Sequence, residues 1–391
     1  MIWTQTKTMF VDAYRELNAK KLFWITMALN FLAVVIFASL GINKTGVSFW
    51  HWTFDNQILN TNVVSKRFFY ITTFTGTGVT FWLSWVTTIL ALVSTAGIIP
   101  DMISGGTIEA MLSKPIGRIR YFLTKYLSAL LFVAMQVGVF TAGAFFVLGI
   151  RGGAWEAGIF LAIPIVLAFF SFLYSFCALI GLLTRSTIAS LLLTILFWCM
   201  IFIVNMGDAL MVSQREGTII QIEDRQKAIE PQVRFAESKL ELMRNEGKPI
   251  PGEDGEPLPE NASDTLEAVN PTLRRARDRL ATSEQAIDTW TTWSQRVFLL
   301  KTVLPKTQET IGLLERYLVP MDELKELMDR RADGAQIPDE EDVPAMADPR
   351  VSARVQEAYR GRTEFWVLGT SFLFEGFMLT LCCWIFARRD F

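Results

Sequence analysis

Six apolar stretches, each near the roughly 20 residues an α-helix needs to cross about 30 Å of hydrocarbon, set the first constraint on this chain. They run from Leu22 to Ile42, Val79 to Ile99, Tyr126 to Ile150, Ala157 to Leu183, Ile188 to Asn205 and Phe365 to Ala387. Inside a bilayer the backbone must satisfy its own hydrogen bonds, so each stretch reads as a transmembrane helix. The second opens least clearly, because Thr75-Gly76-Thr77-Gly78 is a poor helix start, and its Phe81, Trp82 and Trp85 suit an aromatic belt at the membrane boundary. Pro164, a turn or two inside the fourth, predicts a tolerated kink. Ahead of the first stretch, Trp3, Phe10, Tyr14 and Leu17 fall at helical spacings among Lys7, Asp12 and Arg15, the pattern of a helix lying in the membrane surface. The long basic lead and the length of the first apolar run argue for a retained span rather than a cleaved signal peptide.

Between the fifth and sixth stretches the material changes. Residues 207–362 hold 22 Lys and Arg against 30 Asp and Glu, a net −8, while the rest of the chain carries +6, so the overall −2 is a cancellation. Short flanks of the spans separate the bases in the same way. Lys7, Arg15, Lys20, Lys21, Lys114, Arg118, Arg120, Lys125, Arg185, Arg388 and Arg389 gather on one side, and only Lys44, Lys66, Arg67 and Arg151 on the other. The positive-inside rule then places both termini in the cytoplasm and the long charged stretch outside.

That stretch reads as helical. Ile222, Ile229, Ala236 and Met243 repeat every seven residues with Val233 and Leu240 between them, a heptad seam in which Pro231 predicts a kink or a fresh start. A breaker-rich turn from Gly247 to Pro259 precedes Asn270-Pro271, an N-cap and first-turn proline opening a helix striped by Leu273, Leu280 and Ile287 and by Ala276, Ser283, Trp290 and Val297. The two together predict an antiparallel helical hairpin. Further helices are expected at Gln308 to Tyr317 and Asp322 to Arg331, then an acidic loop from Pro338 to Asp342 and a last helix leading to the sixth span. Arg274, Arg275, Arg277 and Arg279 read as the ion-paired face of a helix. The expected fold is an all-α membrane protein: six transmembrane helices, an N-terminal interfacial helix, and a large α-helical extracytoplasmic domain between spans five and six. Residues 1–206 form the first transmembrane part, 207–362 the outer helical or coiled-coil domain, and 363–391 the last span and tail.

Several functions are excluded by what is missing from the sequence. The single histidine, His51, cannot build a His-based zinc site, and Cys177, Cys199, Cys382 and Cys383 lie in apolar runs, where a thiol behaves as a small hydrophobe. No phosphate-cradling G-x-x-x-x-G-K-[ST] loop occurs, so ATP-driven work needs another polypeptide. The slightly negative net charge gives no footprint for nucleic acid. One ionisable residue lies deep in a span: Glu375, ten residues into the sixth, with Gln136 in the third as the nearest polar candidate in depth. A carboxyl there is costly against lipid and is a candidate proton or cation site, or a hydrogen bond locking two helices.

The most informative segment lies between the second and third spans, within residues 100–121: Gly105-Gly106-Thr107-Ile108-Glu109-Ala110-Met111-Leu112-Ser113-Lys114-Pro115-Ile116-Gly117-Arg118, followed by Lys125. The glycines permit a tight turn, Thr107 caps a short helix, Met111 and Leu112 give it an apolar contact, Pro115 ends it, and Arg118 stays at headgroup level. This resembles the signature of the ABC-type 2 permeases, the membrane subunits of ABC exporters, and the surrounding plan of six spans resembles theirs over about 235 residues, the long outer domain excepted. The resemblance implies a coupling helix formed by Gly106, Thr107, Glu109, Met111, Leu112, Lys114, Pro115 and Arg118. It further implies a cytoplasmic ATPase partner that binds the ATP and Mg, with no cofactor in this chain, and a homodimer or a heterodimer with a second permease in the bacterial inner membrane. An extracytoplasmic protein partner for the outer domain is a further expectation. The rival reading is a membrane-anchored interaction or sensor protein whose outer helices bind a partner.

Overall fold

The computed structural model describes residues 11, 15, 18, 21–55, 59–104, 117–248, 265–319 and 348–388. Most of the expected surface helix, from Trp3 to Lys20, therefore lies outside the described residues, as do the helix from Asp322 to Arg331 and the acidic loop at 338–342. Among the described residues six helices are long and apolar enough to cross a membrane: Lys21–Ser39, Lys66–Ile103, Arg118–Gly152, Ala157–Thr184, Thr187–Asn245 and Phe365–Arg388. The protein is a helical multi-pass membrane protein, with one small sheet among the described residues.

The first span, α1 (Lys21–Ser39), stops short of Ile42. Leu40–Ile42 is β1, followed by β2 (Gly46–Phe49) and β3 (Trp52–Asp55) in an antiparallel meander, Leu40 facing Phe49 and Phe49 facing Trp52. Strands of three or four residues are too short to show alternation, which is why the sequence reads as helix and loop here. Trp50 turns the second hairpin with a φ of 54°, a left-handed conformation rare for a bulky residue.

Span two begins well before Val79. Ser65 caps α2 (Lys66–Thr73), its Oγ accepting from the Phe68 amide at 3.1 Å. The helix then widens into a π-helical stretch, Phe74–Thr87, and returns to α geometry in α3 (Thr88–Thr95). Within the wide turns Thr80, Ser84 and Thr88 donate to carbonyls five residues back, at Thr75, Val79 and Leu83, over 2.9, 2.8 and 3.0 Å. The Thr-Gly-Thr-Gly run thus lies in mid-helix. A Cβ at Gly78 would stand 3.1 Å from the Phe140 ring, so this glycine serves close packing. Trp82 and Trp85 form no belt either: Trp85 stacks on Trp198 at 4.8 Å, and Trp82 turns inward to Asn30.

After α4 (Ile98–Ser104) come α5 (Arg118–Val147), ending in a π turn at Leu148–Gly152, and a 3₁₀ turn at Ala157–Leu161 that leads into α6 (Ala162–Thr184). Pro164 is the third residue of α6, just past the join where the 3₁₀ turn passes into α geometry. Then follow α7 (Thr187–Asn245), α8 (Thr265–Val269), α9 (Pro271–Val303), α10 (Thr307–Leu318), α11 (Pro349–Arg360), a π turn at Phe365–Gly369 and α12 (Thr370–Arg388). Pro231 falls inside α7, which continues past it without a new start.

By contacts the chain divides into two units: Met1–Asn205 with Leu300–Arg331 and Arg360–Phe391, and Met206–Leu299 with Ala332–Tyr359. In the first, α5 packs against α1 and α6, α6 against α12, and α10 against α6 and the π-helical stretch. Phe74, Phe122, Phe132, Phe140, Phe170, Tyr174 and Phe386 are fully buried there, while Leu192, Leu196, Ile203, Leu373 and Phe377 are exposed, as side chains facing lipid are. In the second unit, Arg225 reaches the Arg279 carbonyl, and Asn270 the Gln232 carbonyl, so α9 runs antiparallel to α7. Here α11 does the same on α7, with Arg350 on Asp224 and Tyr359 on Asp208. Of the two stripes expected on α9, Leu273 of one and Ser283 of the other are buried, and the remaining members are partly covered. Arg277 of the basic run pairs with Glu267 at 2.7 Å.

Candidate functional site

A carboxyl in a span needs donors, and the structure supplies them from two other helices. On α12, Glu375 is 8% exposed. The Tyr126 hydroxyl of α5 donates to its Oε1 at 2.8 Å, and the Ser171 hydroxyl of α6 to its Oε2 at 2.9 Å. Each hydroxyl has a second acceptor in reach: the Ser171 carbonyl for Tyr126 at 3.0 Å and the Ala168 carbonyl for Ser171 at 2.8 Å. One hydrogen serves one acceptor, so the two hydroxyls can turn between carboxyl and backbone. Tyr126 is fixed by stacking on Tyr174 at 5.2 Å, itself stacked on Phe170 at 5.5 Å. The arrangement ties α12 to α5 and α6 with neutral donors alone.

Gln136 does not join this group. It lies ten residues further along α5, about 15 Å by helical rise, and its Nε2 donates to Thr26 Oγ1 of α1 at 2.6 Å. Asn30, one turn on, donates to the Thr26 carbonyl at 3.0 Å and accepts from Trp82 Nε1 at 2.9 Å and Thr87 Oγ1 at 3.1 Å. A second neutral network thus joins α1, α5 and span two. Gln136 Oε1 and Thr141 Oγ1 are buried without a protein partner. Sequence reading missed Tyr126, Ser171, Thr26 and Asn30, since neutral polar residues in a span are common and their partners lie up to 249 residues away.

Charge enters at α10. Glu309 is buried and its Oε1 takes both the Lys301 ammonium and the Arg362 guanidinium, the latter at 2.6 Å. Arg316 donates to the Arg362 carbonyl at 2.8 Å, and Lys306, fully buried, donates to the Thr302 carbonyl at 2.5 Å beneath the Trp366 ring. Burial pushes the Lys306 ammonium down to about 8, with Glu309 pulling the other way and Lys301 adding to the fall. Burial lowers Arg316 as well, again against the pull of Glu309. Among the described residues no three His, Cys, Asp or Glu come together as metal ligands would, and all four cysteines are free thiols.

Of the expected coupling residues, Gly106, Thr107, Glu109, Met111, Leu112, Lys114 and Pro115 lie outside the described residues. Arg118 is the first residue of α5, and its Nη1 faces the Ala387 carbonyl of α12 at 3.5 Å. On the other flank, α4 is held to α6 and to the start of α7. A Cβ at Gly181 would meet Pro100 at 3.1 Å, and Thr187 donates to Asp101 at 3.5 Å. Both chain ends that bracket residues 105–116 are therefore packed into the bundle.

No curated protein matches this chain, and no solved structure does. Residues 14–272 match the family model described as ABC-2 family transporter protein. The match reaches past the five spans through α7 and ends at the start of α9, so the family likeness takes in the first arm of the charged stretch, which the sequence reading had left out, and omits the last span. It covers 259 of the 391 residues, with the segment at 105–118 inside it, and the chain belongs to the ABC-2 family of transporter proteins.

Proposed function

We propose that this chain, a permease subunit of an ABC transporter by its family, is the membrane half of an ATP-driven exporter in the bacterial inner membrane. Two copies, or one copy and a related permease, line the pathway. Two cytoplasmic ATPase subunits bind ATP and Mg and dock on residues 105–118, with both termini of the permease on that side. Closure of the ATPases is passed through this segment to spans two and three. It reaches spans four and six as well, through the α4 contact with α6 and the Arg118 contact with α12. The outer helices between spans five and six act as a gate or as a platform for a partner protein.

The observation that carries this reading is the bracketing of residues 105–116. A force applied to that segment has packed helices on both sides to act on, as a coupling element requires. Support also comes from the family, whose permeases normally work with a separate ATPase.

Co-purification tests it. Wild type is expected to carry the cognate ATPase through affinity purification, and Leu112→Asp or Arg118→Glu to lose it while still eluting as a folded membrane protein. A complex that survives both substitutions would end the docking assignment.

A further inference from the structure

The three short strands that follow span one have two unlike faces. Residues opposite one another in an antiparallel pair share a face, so the register sets Leu40, Phe49 and Trp52 in one row and Ile42, Val47 and Phe54 in the next, all six apolar. The other face carries Gly41, Ser48 and Thr53, with the exposed Arg151 guanidinium against it: a Cβ at Gly41 would stand 3.0 Å from Arg151 Nη2. Along the apolar face, cover falls away with distance from the bundle. Ile42 is buried in the core and Leu40 and Val47 pack against it, whereas Trp52 and Phe54 of β3 are 69% and 62% exposed. The apolar surface of the core thus continues outward over two strand spacings, about 10 Å.

The end of span one fixes the height of this surface. α1 has 19 residues, a rise of about 28 Å that matches a hydrocarbon thickness of about 30 Å, so Ser39 marks the boundary. The Trp50 amide donates to the Ser39 carbonyl at 3.0 Å, which returns the turn between β2 and β3, Trp50-His51, to that level. Arg151 on the Ala38 carbonyl and the Tyr70 hydroxyl on the Leu40 carbonyl hold the first strand there. Trp50 is 68% exposed, and its left-handed φ falls where a two-residue turn ordinarily places Gly or Asn. A large ring set against the preference of its own backbone points to a contact outside the hairpin.

We propose that this sheet is a membrane-surface anchor: Trp50, Trp52 and Phe54 lie in the leaflet at this end of span one, where headgroups meet acyl chains. The distribution of tryptophan favours lipid as the partner. Among the described residues of this unit, the other well-exposed tryptophans are Trp24 and Trp384, near the helix ends at Lys21 and Arg388, and Trp155, between spans three and four. Trp82, Trp85 and Trp198, at mid-span, face other helices. No strand pairs with the outer edge of β3 among the described residues, and such an edge is excluded from hydrocarbon but is solvated among headgroups. The area is too small for a second copy of the chain. At roughly 150–250 Å² for a whole ring, the exposed parts of three rings come to roughly 300–500 Å², against about 800 Å² for each partner in a stable interface. Interfacial aromatics set the tilt and rotation of the helix they flank, so the sheet holds α1 in its place against span two.

Full-length protein carrying the photo-crosslinking residue p-benzoylphenylalanine at one position, in vesicles of phosphatidylethanolamine and phosphatidylglycerol, provides the test. Placed at Trp52 or Phe54, the label should add a lipid to the tryptic peptide spanning residues 45–66, read by mass. The same label should add none at Thr53, on the opposite face, or at Phe235, an exposed ring of the other unit. Quenching of tryptophan emission by phosphatidylcholine brominated on its acyl chains gives an independent measure: Trp50→Phe with Trp52→Phe should lower the quenched fraction. If the label at 52 prevents folding, position 54 and the quenching decide. Equal lipid capture at 52, 53 and 235, or quenching unchanged in the double variant, would overturn the proposal. So would capture of a second copy, or of α7, α9 or α11, in place of lipid. None of these readouts involves the ATPase, so they fail or succeed independently of the docking assignment.

Discussion

In the unit built around α5 and α6, fully buried aromatic rings fill the space between helices, and polar side chains bond to backbone carbonyls or to one another. In the unit of α7, α9 and α11 the buried apolar residues among those described are few and small, Val212, Ile220, Ala236, Val269, Leu273 and Val351, and the helices are joined on their rims by Arg350 to Asp224 and Arg354 to Glu223. A bundle in lipid gains nothing from burying apolar groups away from water, so it relies on close packing and on polar groups that have no other solvent. Antiparallel helices in water have the opposite situation: each buried methyl counts, and each rim charge is already well solvated. The first unit is therefore vulnerable at its polar contacts and the second at its thin apolar seam, and substitutions can be chosen to test that inversion.

The largest effect is expected at Glu309. Its Oε1 takes both Lys301 and Arg362, and the carboxylate itself is buried. Glu309→Ala removes a buried carboxylate from between two cations, a loss of about 3–5 kcal/mol, read as a fall in thermal unfolding temperature in detergent. Lys306 gives the same site a pH signature. Its folded pKa of about 8 lies below the ordinary 10.5, so between those values the unfolded chain binds more protons and stability rises with pH across that window. Below about pH 8 the cost of burying the charged form is fully present. Lys306→Met should flatten the rise between pH 8 and 10; an unchanged slope would show that the ammonium is not buried as described.

Next in size is Leu273→Ala, the first member of an α9 stripe and fully buried. A large-to-small change in a core costs about 2–5 kcal/mol, and a thin three-helix layer can close around the space, so the lower end is expected. Hydrogen exchange should show faster opening of amides in α7 beyond Met206 and in α9. Amides in α5 and α6 should keep their protection, since contacts divide the chain at that boundary. Equal acceleration in both units would break the comparison.

The same inversion explains what could be read in advance. Spans one, four and six fall within a few residues of their apolar runs, because length and hydropathy alone determine a spanning helix, while span three starts at Arg118, eight residues before its run. Similarly, the α9 stripes at Leu273 and Ser283 and the cap at Asn270-Pro271 follow from periodicity in water. What escaped was decided by tertiary contacts. Thr-Gly-Thr-Gly is a weak helix by propensity, yet it lies mid-helix, where its glycine admits Phe140. Pro231 sits inside a helix that continues past it. For Glu375 the sequence marked the carboxyl, but its partners Tyr126 and Ser171 could be found only once three helices were set side by side.

The smallest effect is expected where the sequence is richest in charge. Arg354 places one guanidinium nitrogen against both oxygens of Glu223, at 2.9 and 2.7 Å, a geometry that in a buried setting would be strong. Both side chains are more than a third exposed. Water then screens the attraction, and fixing two long side chains offsets much of the remainder, so Arg354→Gln should cost about 0–1 kcal/mol. Arg350 differs in one respect. It bridges Asp348 and Asp224, and those two carboxylates raise its affinity for a proton above the ordinary arginine range. Arg350→Gln should therefore lie at the top of the same range, and its effect should shrink as salt is raised from about 0.01 to 1 M and the screening length falls from about 30 to 3 Å. Glu309→Ala, measured over the same salt series, should hold its full effect, because Glu309 and Lys301 are buried and screened little. Parallel salt dependence at the two sites would mean that the α10 cluster is as open to water as the rim of α7 and α11, and that the contrast between the two units is one of sequence composition alone.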